Sequence, residues 1–182
     1  VDVTLLYQTA HLEDIKAGEK ISTITKDGIT LNIMNLSPGL VKAKAVETPH
    51  YLNTLLNEKP LKKEGMLTLT ARTLGNSLIM ANLLTTTSAN TAPDVSYKAG
   101  NGYTEGVASG KKFAFSTKPG NLYEVGSMKT DALCLTWSPE RTFVAMASNF
   151  RTNDGVFVFS EAPMTFELSN EGIKYDRSIA GK

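Results

Sequence analysis

The stretch KISTITKDGITLNIM, residues 20–34, sets the reading of the whole chain. In its second half Ile29, Leu31 and Ile33 alternate with Thr30 and Asn32. That is the two-residue period of a strand with one apolar face. Asp27-Gly28 stands between the two runs, and this pair accepts the positive φ angles of a tight hairpin turn. A hairpin of half-buried strands is therefore predicted here.

Working outward, the same period returns. Leu67, Leu69 and Ala71 alternate with Thr68 and Thr70, and Met164, Phe166 and Leu168 with Thr165 and Glu167. Two runs are apolar at successive positions, 142–148 and 156–159, which predicts strands covered on both faces. Further turns are expected at Ser37-Pro38-Gly39, Asn153-Asp154-Gly155 and Ser169-Asn170-Glu171-Gly172, where residues suited to turn geometry cluster. Helix is scarce. Thr48 and Pro49 begin a candidate whose Leu52, Leu55 and Leu56 share a face, with a cap and a first-turn proline in place. A second candidate covers Thr9 to Ala17 and stops at Gly18, a usual helix end. The stretch Leu74 to Leu84 fits either period.

The expected fold is mostly β: an antiparallel β-sandwich or partly open β-barrel with one or two short helices. The 182 residues fit a single domain over 1–182, with 41% hydrophobic and 20% charged residues, an ordinary globular composition. Residues 85–110 are rich in Gly, Ser, Thr and Ala and are expected to form a long irregular loop, ordered against a partner.

Composition narrows the chemistry. With 19 basic and 18 acidic residues the formal charge is +1, so no global field draws the chain to nucleic acid or an anionic membrane. A single cysteine, Cys134, permits neither an internal disulfide nor a Cys-based zinc cluster. No apolar run is long enough for a membrane-spanning helix. The opening VDVTLLYQ lacks a basic start and a long apolar segment, so no signal peptide is expected in the chain as given, and the compartment is left open.

The stretch GVASGKKFAF, residues 106–115, imitates a phosphate-binding loop. Only three residues separate Gly106 from Gly110, and Lys112 stands where a hydroxyl should bind magnesium. The following residues alternate like a strand, whereas a phosphate loop must open a helix. The run Lys111 to Phe115 also partly fits an RNA-recognition strand, but Lys112 replaces its central glycine and the second stacking strand is wrong. Neither reading stands.

For catalysis, His11 and His50 are the two imidazoles. No nucleophile motif surrounds Cys134, which sits on a strand next to Leu133 and Leu135 and reads as a structural thiol. No metal-ligand spacing occurs. Glu13 and Asp14 are adjacent, so on a helix they would diverge. No cofactor is implied.

A binding surface is better supported. Between Val95 and Lys118, four lysines (Lys98, Lys111, Lys112, Lys118) face one acid, Glu105, with Tyr97 and Tyr103 interspersed. Tyr97, Lys98, Tyr103, Lys111 and Lys112 form the candidate interaction surface, for another copy of the chain, another protein or an anionic polymer. The leading expectation is a non-catalytic structural or assembly protein of the coat- or surface-subunit type, as in a virus. The alternatives are a β-barrel or sandwich binding a small molecule or glycan through Trp137, Tyr97 and Tyr103, and an enzyme assembled around His11, His50 or Cys134.

Overall fold

In a computed structural model of the chain, residues 2–9, 11–37, 40–48, 64–72 and 78–175 are described. They fall into two compact units, Val1–Pro93 and Asp94–Lys182. The fold is antiparallel β throughout, as the alternating patterns require, with sixteen strands among the described residues.

In the first unit β1 (Asp2–Thr9), β5 (Val41–Glu47) and β6 (Gly65–Arg72) form a sheet in the order β1-β6-β5. A second sheet holds β2 (Ile15–Lys16), β3 (Ile21–Lys26), β4 (Ile29–Asn35) and β7 (Asn82–Ser88) in sequence order. Leu67, Leu69 and Ala71, at every second position of β6, are buried in one cluster with Ile15, Ile33 and Val41. Each fully buried leucine contributes about 1.5–3 kcal/mol. The predicted hairpin is present: Asp27 (φ 50°) and Gly28 (φ 78°) turn the chain between β3 and β4. Its pattern is not one-sided, however. Thr30 and Asn32 are buried as well, and Ile29 at the hairpin tip is exposed. The covered polar groups are paired, the Asn32 amide donating to Thr87 Oγ1 at 3.0 Å and the Thr25 and Thr30 hydroxyls bonding at 2.9 Å. That is how a central strand carries polar side chains on a covered face.

In the second unit, one curled sheet contains nine strands. Its order is β11 (Tyr123–Val125), β12 (Met128–Thr130), β14 (Arg141–Thr152), β13 (Cys134–Trp137), β10 (Lys111–Ser116), β9 (Tyr103–Ala108) and β8 (Val95–Ala99). β15 (Phe157–Ser169) joins β14, and β16 (Gly172–Tyr175) joins β15. The curl has a local cause. Met146 adopts φ 56°, and the β14–β15 register shifts on both sides of Ala147. Such a bulge bends a strand and increases its twist. It also resets which residues face inward: Val144, Ala147 and Phe150 are buried at intervals of three. They share a core with Leu135, Val158 and Phe166. The corner is fastened by Asp131, whose carboxylate accepts from the Ser148 and Asn149 backbone N–H groups at 2.9 and 2.8 Å and from the Asn149 amide at 3.2 Å.

Three expectations are corrected. Residues 85–110 are not a long irregular loop: they include the end of β7, β8 and β9. Their small and hydroxylated side chains suit edge and surface strands, where backbone pairing replaces apolar burial. The helix expected from Thr9 to Ala17 reduces to a 3-10 turn at Leu12–Asp14, followed directly by β2. Its Leu12 backbone packs on Gly65, where a Cβ would lie 2.5 Å from Leu12 Cα, and that close approach suits a tight turn better than a full helix. The runs at 142–148 and 156–159 are covered on one face only, since Phe143, Met146, Phe157 and Phe159 are exposed. The candidate helix at 48–56 lies, apart from Thr48, outside the described residues, as does His50.

Candidate functional site

The turn that resembled a phosphate loop is a hairpin. Ser109 (φ 49°) and Gly110 (φ 75°) join β9 to β10. Two successive positive φ angles define the tight turn whose twist matches paired strands. Lys111 and Lys112 therefore start a strand, and consecutive strand residues point to opposite faces.

The register then sorts the candidate residues. Ser96, Val107, Lys112 and Trp137 are successive cross-strand partners over β8, β9, β10 and β13. Two residues further along, Lys98, Glu105, Ala114 and Leu135 form a parallel row on the same face. Ala114 and Leu135 belong to the core, and Trp137 packs against it. Each row thus runs from an exposed polar residue at the β8 edge, Ser96 or Lys98, toward the apolar interior of the curl. The two rows, apart from the buried Ala114 and Leu135, line a recess of about 390 Å³ together with Tyr97, Gly106 and Gly126. Gly126 is in the turn between β11 and β12. A side chain at Gly106 would not fit, because its Cβ would meet Ser96 O at 2.3 Å and the Phe113 ring at 2.7 Å.

Within the recess Lys98 Nζ pairs with Glu105 Oε1 at 3.0 Å. The Glu105 carboxylate raises the Lys98 pKa above the usual lysine range, first through this hydrogen bond and then through charge. Lys98 is largely exposed and Glu105 mostly covered, so solvent screens the pair and its contribution to stability is small. Lys112 makes no ion pair or side-chain hydrogen bond among the described residues.

The fold brings together Tyr97, Lys98 and Lys112. Tyr103 lies elsewhere, stacked on Tyr123 with ring centroids 5.1 Å apart and packed against the core. Lys111 borders a second recess with Thr136, Ser138, Arg141 and Phe143, which shares only Trp137 with the first. Sequence reading names Glu105 and Trp137 but not Val107, and it pairs none of them with a particular lysine, because their adjacency depends on pairing across four strands. The alternation in β9 and β10 was the available signal, but it does not set register.

β8 is the end of its sheet path. Gly100 N–H donates to Tyr103 O, and Ser109 N–H to Asp94 O. In an antiparallel ladder this phase makes residues 96 and 98 bond to β9, and turns the N–H and C=O groups of Val95, Tyr97 and Ala99 to the open edge. The strand is exposed at four of its five residues.

The remaining candidates show no convergent chemistry among the described residues. Burial pushes the Cys134 thiol pKa up, and its Sγ lies 3.9 Å from the Leu135 carbonyl oxygen. A nucleophilic cysteine needs the opposite shift. His11 borders the 3-10 turn, with Nδ1 buried and without a hydrogen-bond partner among the described residues. Among the described residues no three His, Cys, Asp or Glu side chains are grouped to hold a metal ion, and no helix is long and apolar enough to cross a membrane. Compared with known proteins, the chain matches no family model and no curated protein.

Proposed function

We propose that this chain is a non-catalytic structural or assembly protein that associates with further copies of itself through β8. The observation that carries this reading is the open edge at Val95–Ala99, exposed and unblunted. Unpaired strand edges are templates for pairing, and proteins that stay monomeric protect them with bulges, proline or charge. β8 contains one charge, Lys98, and Glu105 of the same chain neutralises it.

The edge is also self-complementary. In an antiparallel pair of two β8 strands centred on Tyr97, the outward residues 95, 97 and 99 meet one another in bonding phase. Lys98 then faces Ser96 and not a second lysine. Two such strands related by a twofold axis form a closed dimer interface. Phe157 and Phe159, each 65% exposed on one face of β15, are apolar surface available to further contacts. A coat or surface layer needs both a pairing edge and such a second contact.

Sedimentation of the purified chain over a hundredfold concentration range tests the proposal. The native chain is expected to form dimers or larger species as concentration rises. Tyr97→Pro removes an outward N–H without touching the β8–β9 bonds and should remain monomeric, since proline is tolerated on the free side of an edge strand. A native chain that stays monomeric throughout, or a Tyr97→Pro chain that assembles equally well, would sink the reading.

A further inference from the structure

We propose that the recess on the inner face of β8, β9, β10 and β13 is a binding site for a small aromatic monocarboxylate. Its volume, about 390 Å³, lies within the range of about 300–1,000 Å³ typical of small-molecule sites. The chemistry follows from the two rows of side chains. Trp137 and Val107 supply an apolar wall against which a planar ring can lie, and the core behind Trp137 holds the indole in place. Stacking on a fixed aromatic face orders few additional groups, so little entropy is lost.

Charge selects the head group. Three ionised side chains line the recess: Lys98, Glu105 and Lys112. Lys98 and Glu105 satisfy each other, which leaves the Lys112 ammonium as the unmatched charge. Lys112 and Trp137 are direct cross-strand partners, so a carboxylate bonded to the ammonium places its ring over the indole. The free lysine favours an anion over a neutral molecule, and the single unmatched charge favours one carboxylate over a phosphate with two. Glu105 repels a second anionic group.

This site is independent of assembly, because Lys112 and Trp137 lie on the third and fourth strands counted from the β8 edge. Trp137 is the only tryptophan in the chain, so its indole N–H gives one resonance in a proton–nitrogen correlation spectrum. The probe is 2-naphthoate, with 2-naphthamide as its uncharged match. Saturable shifts of the Trp137 indole and of the Gly106, Val107 and Gly126 amides are expected with naphthoate. Naphthamide should bind about tenfold more weakly, the loss of one charge-assisted hydrogen bond. Lys112→Gln should weaken naphthoate by a similar factor and leave naphthamide unchanged. Lys111→Gln, on the opposite face, should change neither. The proposal is overturned by an absence of saturable shifts at millimolar naphthoate, by equal affinity for acid and amide, or by Lys111→Gln weakening naphthoate as much as Lys112→Gln.

Discussion

Cys134 shows how a single side chain reports its surroundings. Burial disfavours its thiolate, so its pKa in the folded chain lies above the ordinary value of 9.0. The sign of the linkage follows. Below about pH 9 the thiol is neutral in both states and stability is unaffected. As pH rises further the unfolded chain ionises first, and stability falls until the folded thiol also ionises. Tyr123 acts in the same direction from about pH 10, because burial raises its phenol and the hydroxyl donates to Ala132 O at 3.0 Å. Thermal melts between pH 7 and pH 10.5 should therefore drop more steeply above pH 9 for the native chain than for Cys134→Ala. Superimposable pH profiles would refute the assignment. The same burial holds the Cys134 thiol in its neutral form on β13.

At the level of the element, β14 is the strand on which the curled sheet depends. One half pairs with β13 and the other with β12, while β15 follows both. The change of partner occurs where Met146 bulges, and Asp131 holds that corner through three accepted hydrogen bonds. Two of the donors are backbone amides that would otherwise lack a partner on that side. Asp131→Ala should cost about 2–3 kcal/mol, the value of hydrogen bonds to an ionised group. A lower urea midpoint with an unchanged slope checks this, and Asp131→Asn should fall between the two. A change below about 0.5 kcal/mol would mean that the bulge stands without its clip.

For the molecule as a whole, the open β8 edge makes assembly visible in hydrogen exchange. The amides of Ser96 and Lys98 point into the β8–β9 ladder, whereas those of Val95, Tyr97 and Ala99 point outward. In dilute protein the first set should be protected and the second should exchange fast. Raising concentration should protect the outward set selectively. Uniform protection at every concentration would contradict pairing through this edge. The alternating protection distinguishes strand addition from association through the exposed Phe157 and Phe159, which would leave the β8 amides unchanged.

The sequence by itself determined the all-β class, the Asp27-Gly28 hairpin and the buried faces of β6 and β15, because side-chain period and turn chemistry act over a few residues. It also excluded a phosphate loop at Gly106 to Lys112, since the strand-like alternation that follows is local. It misjudged residues 85–110, where small polar side chains looked like a loop because strand pairing is carried by backbone groups common to all residues. It overstated the burial at 142–148 and 156–159, because apolar composition does not reveal whether a second layer covers a sheet face. Only the tertiary structure aligned Ser96, Val107, Lys112 and Trp137 into one row, and turned Tyr103 onto Tyr123 and away from Tyr97. Those neighbours come from four strands spread over some forty residues. A one-residue slip in any pairing would send a side chain to the opposite face, so register, which is a property of the paired strands together, decides the site.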